Sequence, residues 1–447
     1  MNKIFAVSSI IISFLCRPLL GQATLSGTIT DSTTSETLAG ATLYLPDIKT
    51  GTAADAGGHY EINNLPARKV LVQVTYLGYE SVTTTIDLTN TSTKNFALTP
   101  SVTEINEVVI TGLSQATEQN RTPTPITVIS HATLLENNST NIIDALAKQP
   151  GISQITTGPA ISKPEIRGLG YNRVVVVHDG IRQEGQQWGD EHGIEIDAFS
   201  VNKIEILKGP ASLAYGSDAM AGVIHMISTP ALPSNTIRGN LLGNYQTNNG
   251  LIGYSGNIAG NMDGLIWNAR YSGKTAHNYK NAYDGYVYGS NFSENAASLI
   301  AGLNKKWGYA HLHLGYYALT PGIIEGERDS LTGSFIKPVA LNDTTVSEEI
   351  VSAQDLKSYT PGIPHQEIRH YKAVLNNSFF VGRATLKAVI GWQQNNRQEF
   401  DDVLSTDNYG LYFKLNTFNY DLHYIFPEKN NWQLSAGANG MHQVSEN

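Results

Sequence analysis

Residues 183–198 read "QEGQQWGDEHGIEIDA" and concentrate groups that could do chemistry. Asp190, Glu191 and His192 set two hard oxygen donors beside an imidazole, a mixture used in Zn²⁺, Mn²⁺ and Fe sites. Trp188 adds a flat aromatic face suited to an organic chelate, and Gln187 adds a neutral amide next to it. Neighbouring residues of a strand point to opposite faces, so the three donors can meet one ion only from a loop. Gly189 and Gly193 mark turns that would permit one. A complete centre needs at least one further ligand, for which His277, His365 and His370 are candidates. His311 and His313, at i, i+2 on one strand face, form a second pair with metal-binding spacing, although polar lining is the plainer role for both. An acidic run between glycines is also the ordinary composition of a solvated loop.

Other elements must hold this segment. Just before it, "VVVV" at 174–177 is apolar on both faces and reads as a buried strand. "TPITVIS", "KIEILKG" and "AGVIHMIS" are further strands, and a helix runs through Ile142, Ile143, Leu146 and Lys148. Ser139 or Thr140 is its expected cap and Pro150-Gly151 its end. Residues 121–230 therefore read as a compact mixed α/β domain. Upstream, residues 24–98 show short alternating runs separated by turns, the pattern of a small antiparallel sandwich. Val70, Val72, Val74 and Tyr76 share one face of a strand there, and Leu71, Gln73 and Thr75 the other. Between the two units lies "EINEVVITG", residues 104–112. Its β-prone run Val108-Val109-Ile110 has no evident local partner, and an open edge of that kind invites pairing with another protein's sheet. The alternative is that it is the first strand of the domain that follows.

From about residue 236 the texture changes to two-residue alternation. In "LIWNARYS", Leu265, Trp267, Ala269 and Tyr271 oppose Ile266, Asn268, Arg270 and Ser272. In "YAHLHLGYY", Ala310, Leu312, Leu314 and Tyr316 oppose Tyr309, His311, His313 and Gly315. An apolar outer face over a polar inner one is the pattern of a transmembrane β-barrel. Turns such as Asn261-Met262-Asp263-Gly264 are expected on the periplasmic side, and residues 318–366 as an extracellular loop.

Composition narrows the classes. The net charge of -9 and the lack of a basic patch exclude a nucleic-acid partner. No zinc-protease spacing occurs. Residues 1–21 combine Lys3, a short apolar run and Gly21, as in a secretory leader. The only cysteine, Cys16, falls in that leader, so disulfides and thiolate metal sites are not expected in the mature chain. Phe14 and Leu15 stand before Cys16 where lipidation wants small residues.

Several motifs are familiar. "SGTITD", "LAGATLYL", "GTAADAGGHYEINNLP" and "VTYLGYE" resemble the carboxypeptidase-regulatory-like domain found at the N-terminus of many Bacteroidetes outer-membrane receptors, with Asp55, Gly58, Tyr60, Leu65 and Pro66 matching its pattern. "PEIRGLG", "VVVVHDGIR" and "SVNKIEILKGPASLAYGSDAMAGVIHMIS" are similar to the plug domain of TonB-dependent receptors. His225 departs from that pattern, where asparagine is more usual, and is expected at the plug–wall contact. Arg167 and Lys208 match it and are read as fixing plug loops. "EINEVVITG" resembles the TonB box.

The resemblance implies an all-β N-terminal sandwich (22–100), a TonB box (104–112), a mixed α/β plug (113–235) and an antiparallel transmembrane β-barrel (236–447), after a signal peptide (1–21). Plugged outer-membrane transporters have about 22 strands. The barrel segment supplies about ten at roughly 20 residues each, so the chain is expected to be the N-terminal part of a longer receptor. Glu107, Val108, Val109 and Ile110 would pair with TonB, and Gln187, Trp188, Asp190, Glu191 and His192 would face substrate from an apical plug loop. The implied function is energy-coupled uptake of a metal ion or metal chelate (ferric siderophore, haem, zinc or copper) across the outer membrane, with the N-terminal domain in the periplasm. It implies no enzyme and no resident cofactor. The form "KGPASLAYGSDAMAGVI" favours metal-type receptors over importers of oligosaccharide or peptide, which carry "KDA" at Lys208-Gly209-Pro210. A surface signalling or adhesion protein is the rival from another class. Expected partners are the TonB complex, outer-membrane lipid and, for some receptors, a surface lipoprotein.

Overall fold

The computed structural model describes residues 22–101, 108–109, 117–118, 126–187, 189–427, 429 and 432–446. The expected leader, Glu107, Ile110 and Trp188 lie outside the described residues.

Seven strands build the N-terminal unit: β1 (Gln22–Asp31), β2 (Thr42–Leu45), β3 (Thr50–Ala53), β4 (His59–Pro66), β5 (Lys69–Thr75), β6 (Val82–Asp87) and β7 (Phe96–Leu98). They form two sheets, β4-β1-β7 and β3-β2-β5-β6. Alternation along β5 sends Val70, Val72 and Val74 into the core with Leu25, Ile29, Leu43 and Tyr60. The β3–β4 turn is held by the Asp55 carboxylate, which accepts from the backbone N–H of Gly57 and His59 at 2.8 and 2.9 Å.

The run Val108-Val109 has a local partner after all. As β8 (Val108–Val109) it pairs antiparallel with β9 (Thr117–Glu118). The hydrophobic pattern alone did not reveal this pairing.

The plug sheet contains β10 (Ile126–Ser130), β13 (Val174–His178), β14 (Ile181–Arg182), β15 (Val201–Leu207) and β16 (Gly222–Ser228), in the order β10-β15-β16-β13-β14. A separate hairpin is made by β11 (Ile152–Gly158) and β12 (Ile161–Ile166). Helices α1 (His131–Glu136) and α2 (Ile142–Leu146) complete the unit. The four valines are buried because β13 lies between two apolar layers. Val174 and Val176 pack with Ile204, Ile206 and Ile224, while Val175 and Val177 pack with Ile126, Leu207 and Val223. Each valine so buried contributes on the order of 1.5–3 kcal/mol. The cap of α2 is Asn141, not Ser139 or Thr140: its side chain accepts from the N–H of Ile143 and Asp144 at 2.9 and 3.0 Å, and Asp144 reciprocates in a capping box.

The C-terminal half is one nine-stranded antiparallel sheet in which every strand pairs with the next. Its members are β17 (Thr236–Gln246), β18 (Leu251–Met262), β19 (Leu265–Ala276), β22 (Phe292–Lys305), β23 (Gly308–Pro321), β26 (His365–Val381), β27 (Ala384–Phe400), β28 (Leu411–Ile425) and β29 (Ser435–Glu446). The intervening loops carry the small ribbons β20 (Lys280–Asn281) with β21 (Gly285–Tyr286) and β24 (Ile336–Asn342) with β25 (Thr345–Ile350). Nine strands form instead of about ten because residues 322–364 leave the sheet. The β18–β19 turn is two residues long, with Asp263 at φ 51° and Gly264 at φ 79°, the left-handed pair that matches the twist of a hairpin.

Leu241, Ile258, Tyr271, Leu312, Leu314 and Trp392 are exposed on the outer face, whereas Arg270, Lys274, His311, His313, Lys372 and Arg397 are buried on the inner one. An apolar outside with a polar inside is a lipid-facing wall, and it places the protein in the outer membrane. The short connections at one end are periplasmic and the long loops at the other extracellular.

Candidate functional site

The 183–197 loop leaves β14 and climbs to the long-loop end of the wall. Most of it is buried rather than solvated. Glu195, with a side chain 2% exposed, is its anchor. Its Oε1 meets Arg397 Nη2 at 3.0 Å, His370 Nδ1 donates to Oε2 at 2.8 Å, and the Asn395 amide also donates to Oε2. Arg397 lies wholly out of solvent and also donates to the Glu191 carbonyl at 3.3 Å and to Gln366. Further along, Asp197 accepts from Ser272 Oγ of β19 at 2.7 Å. His192 is buried, with Nε2 3.6 Å from Glu399 and its ring edge-on to Phe413. Every one of the wall partners from β26 to β28 lies near the extracellular end of its strand.

Asp190 and Glu191 remain exposed on the open side. Tyr171 donates its hydroxyl to Asp190, and the Lys163 ammonium sits 4.7 Å from the Tyr171 ring centre while bonding the Gly189 carbonyl. Burial pushes Lys163 down to about 8, against the pull of Asp190. Gln187 is turned back into the loop, bonding Glu184 at 2.5 Å and accepting from the Gly185 N–H at 2.9 Å.

The metal centre expected from Asp190, Glu191 and His192 is not assembled. Asp190 points to Tyr171, Glu191 outward, and His192 into the wall. The candidate fourth ligands are engaged elsewhere. His277 packs edge-on between Tyr286 and Tyr359, His365 stacks on Phe400 at 4.9 Å, and His370 belongs to the Glu195 network. Among the described residues no group of three His, Cys, Asp or Glu side chains could hold one ion. His311 and His313 do face inward; their rings are 6.4 Å apart, and His311 contacts Asn304 while His313 lies 3.4 Å from Asp179.

Asp179 is a second focus that pattern reading missed. It sits at φ 55° in the β13–β14 turn, and its carboxylate accepts from the N–H and hydroxyl of Ser228 at 3.0 and 2.8 Å. Burial alone would raise Asp179, but the positive charge set around it, that of Lys372 above all, holds it well below the ordinary carboxylate range. Burial, with Lys372 beside it, pushes His178 down to about 3, so that ring stays neutral. An unfolded histidine titrates near pH 6.5. The unfolded chain therefore takes up a proton that the folded one excludes, and stability is lost as pH falls from about 6.5 toward about 3. The full-length receptor should melt lower at pH 5 than at pH 7.5, and His178→Gln should narrow that difference. An unchanged difference would assign the pH response to other groups.

Of the remaining sequence-singled residues, Lys208 donates to the Pro150 carbonyl at 2.9 Å, Arg167 takes φ 51° with its N–H on the Gly151 carbonyl, and His225 sits half-buried opposite Glu205 of β15.

A compact mixed domain lodged against a lipid-facing antiparallel wall defines a plugged outer-membrane protein. Residues 118–223 match the TonB-dependent Receptor Plug Domain, and residues 25–110 the CarboxypepD_reg-like domain. The iron-regulated outer membrane virulence protein of Vibrio cholerae is 34% identical over 128 residues, covering 27% of this chain and 20% of that protein. A ferric enterobactin receptor of Pseudomonas aeruginosa superposes with a TM-score of 0.54 at 13% identity, over 75% of this chain and 51% of its own. The siderophore receptor PirA of Acinetobacter baumannii gives 0.51 at 14% identity, over 72% and 48%. The chain thus spans about half the length of these solved receptors, and the matched part is a fifth of the curated relative. With the fold, these matches make the chain similar to TonB-dependent outer-membrane receptors.

Proposed function

We propose that this chain is the plug-bearing part of a receptor that binds a ferric chelate at the cell surface and imports it with energy delivered through TonB. The observation that carries the reading is the polarity of the plug. Its 183–197 loop meets the wall at the extracellular strand ends, while the β8 strand precedes the plug on the chain. A ligand sensed by this loop can thereby act through the plug on the strand that precedes it in the chain. Two further points support an iron chelate over a bare ion. The relatives reported above are named for siderophores or for iron regulation, and no three-ligand group exists among the described residues. Asp190, Glu191 and Tyr171 then contact polar groups of a chelate instead of the metal.

Calorimetric titration of the full-length receptor tests this with a ferric catecholate, a ferric hydroxamate, haem, Zn²⁺, Cu²⁺, an oligosaccharide and a peptide. One chelate should bind tightly, no bare ion should, and Asp190→Ala/Glu191→Ala/His192→Ala should weaken the chelate without abolishing it. Tight binding of a bare ion, lost in the triple variant, would overturn the reading; binding of an oligosaccharide or peptide in place of every chelate would move the receptor to another substrate class.

A further inference from the structure

The N-terminal sandwich is seated on the periplasmic rim of the wall. Asn304 Nδ2 donates to the Lys49 carbonyl at 2.5 Å, and Asp47 lies 4.0 Å from Lys387. The Arg68 guanidinium covers the Phe380 ring at 5.2 Å and bonds Thr385. Phe380 itself, 7% exposed, is part of the sandwich's apolar core. The Gly51 carbonyl accepts from the N–H of Ser234, in the connection from plug to wall, at 3.2 Å. Asn304, Phe380, Thr385 and Lys387 all stand on the inner face of their strands beside the short turns.

This seat borders a space. A cavity of about 400 Å³ lies where the three units meet, bordered by Tyr44 and Lys49 of the sandwich, His131 and Lys203 of the plug, and Trp267 and His311 of the wall. Asp179, Ser228 and His313 border both it and a narrower space of about 60 Å³, which reaches Glu195 and His370. A seam between plug and wall therefore runs from the extracellular network down to the sandwich.

We propose that the sandwich is a lid on the periplasmic end of this seam, lifted by the same pull that moves the plug. The inference rests on the uptake reading above. Its mechanical basis is the position of β8. Residues 99–107 join β7 to β8, and nine extended residues reach at most roughly 30 Å. A pull on Val108-Val109 is transmitted along the chain, forward into the plug and backward into the sandwich. Among the described residues the seat consists of the Asp47–Lys387 ion pair, a few hydrogen bonds, the Lys49 ammonium over the Tyr309 ring and the shared Phe380 ring, a contact set small enough to part as two bodies.

The test uses full-length receptor in cells, with two cysteine pairs made separately, Asp47→Cys/Lys387→Cys and Arg68→Cys/Thr385→Cys, and a short-spacer bismaleimide. In cells lacking TonB, at least one pair should bridge nearly completely. In cells with TonB, radio-iron supplied as ferric catecholate, ferric hydroxamate and haem should enter through the unbridged variant. After bridging, entry should drop to the level of cells without TonB while surface binding stays unchanged. Failure of both pairs to bridge, or uptake that continues in the bridged receptor, would overturn the lid. If the unbridged variants take up none of the probes, the uptake reading fails, and bridging alone then decides whether the seat exists.

Discussion

Deleting residues 107–110 should reduce uptake to background while leaving surface binding of the chelate intact. The segment holds Val108-Val109, a two-residue strand whose backbone pairs only with Thr117-Glu118 among the described residues. So short a ladder is easily exchanged for a longer one with a partner's strand, which gives main-chain hydrogen bonds without any special side-chain pocket. Shortening the link could itself disturb the plug, so Val109→Pro is the sharper variant. Proline removes one backbone donor and cannot sit in a central strand, yet keeps the chain length. Both variants should bind chelate as the wild type does and import none. Uptake that survives Val109→Pro would place the energy-coupling strand elsewhere.

Glu195→Ala should loosen the plug more than any other single change in the loop. Its removal strands Arg397, whose side chain is fully buried and whose nearest carboxylate is Glu195 at 3.0 Å. Breaking a buried pair by removing one partner costs about 3–5 kcal/mol, because the remaining charge is left uncompensated. His370 and Asn395 lose their acceptor in the same step. Protease access to the plug, followed against urea in the full-length receptor, should shift to clearly lower urea for Glu195→Ala. Glu195→Leu/Arg397→Met, which removes both charges, should recover much of the loss. Equal sensitivity of the single and double variants would mean that the charge pair contributes little to seating the plug.

Much of the architecture was legible because each unit has a period that survives in the residues. Val70, Val72 and Val74 alternate inward as expected, as do Arg270 and Ser272 on the wall, since a strand with one apolar surroundings and one polar one has to alternate. "VVVV" signalled a strand covered on both faces, and it is. The site was far less legible. Asp190, Glu191 and His192 advertise a metal centre by type, but Gly193 packs against Ile161 and Ser162, and His192 turns toward Glu399. Glu195 looked like one acid among several; its partner Arg397 is 202 positions away, and no local pattern joins them. The inward register of β27, which buries Gln393, Asn395 and Arg397 on one face, marks Arg397 as a charge facing the plug. The pairing of β8 was hidden for the opposite reason: its partner, Thr117-Glu118, has no apolar pattern at all.

The most direct test of the central reading is radio-iron uptake by cells carrying the full-length receptor, measured for the chelate that titration selects, with and without TonB and with and without an uncoupler. Binding to the cell surface should be the same in all four conditions, and iron should enter only when TonB and the proton gradient are both present. Entry that persists without either one, or a surface that binds no chelate, would contradict the account.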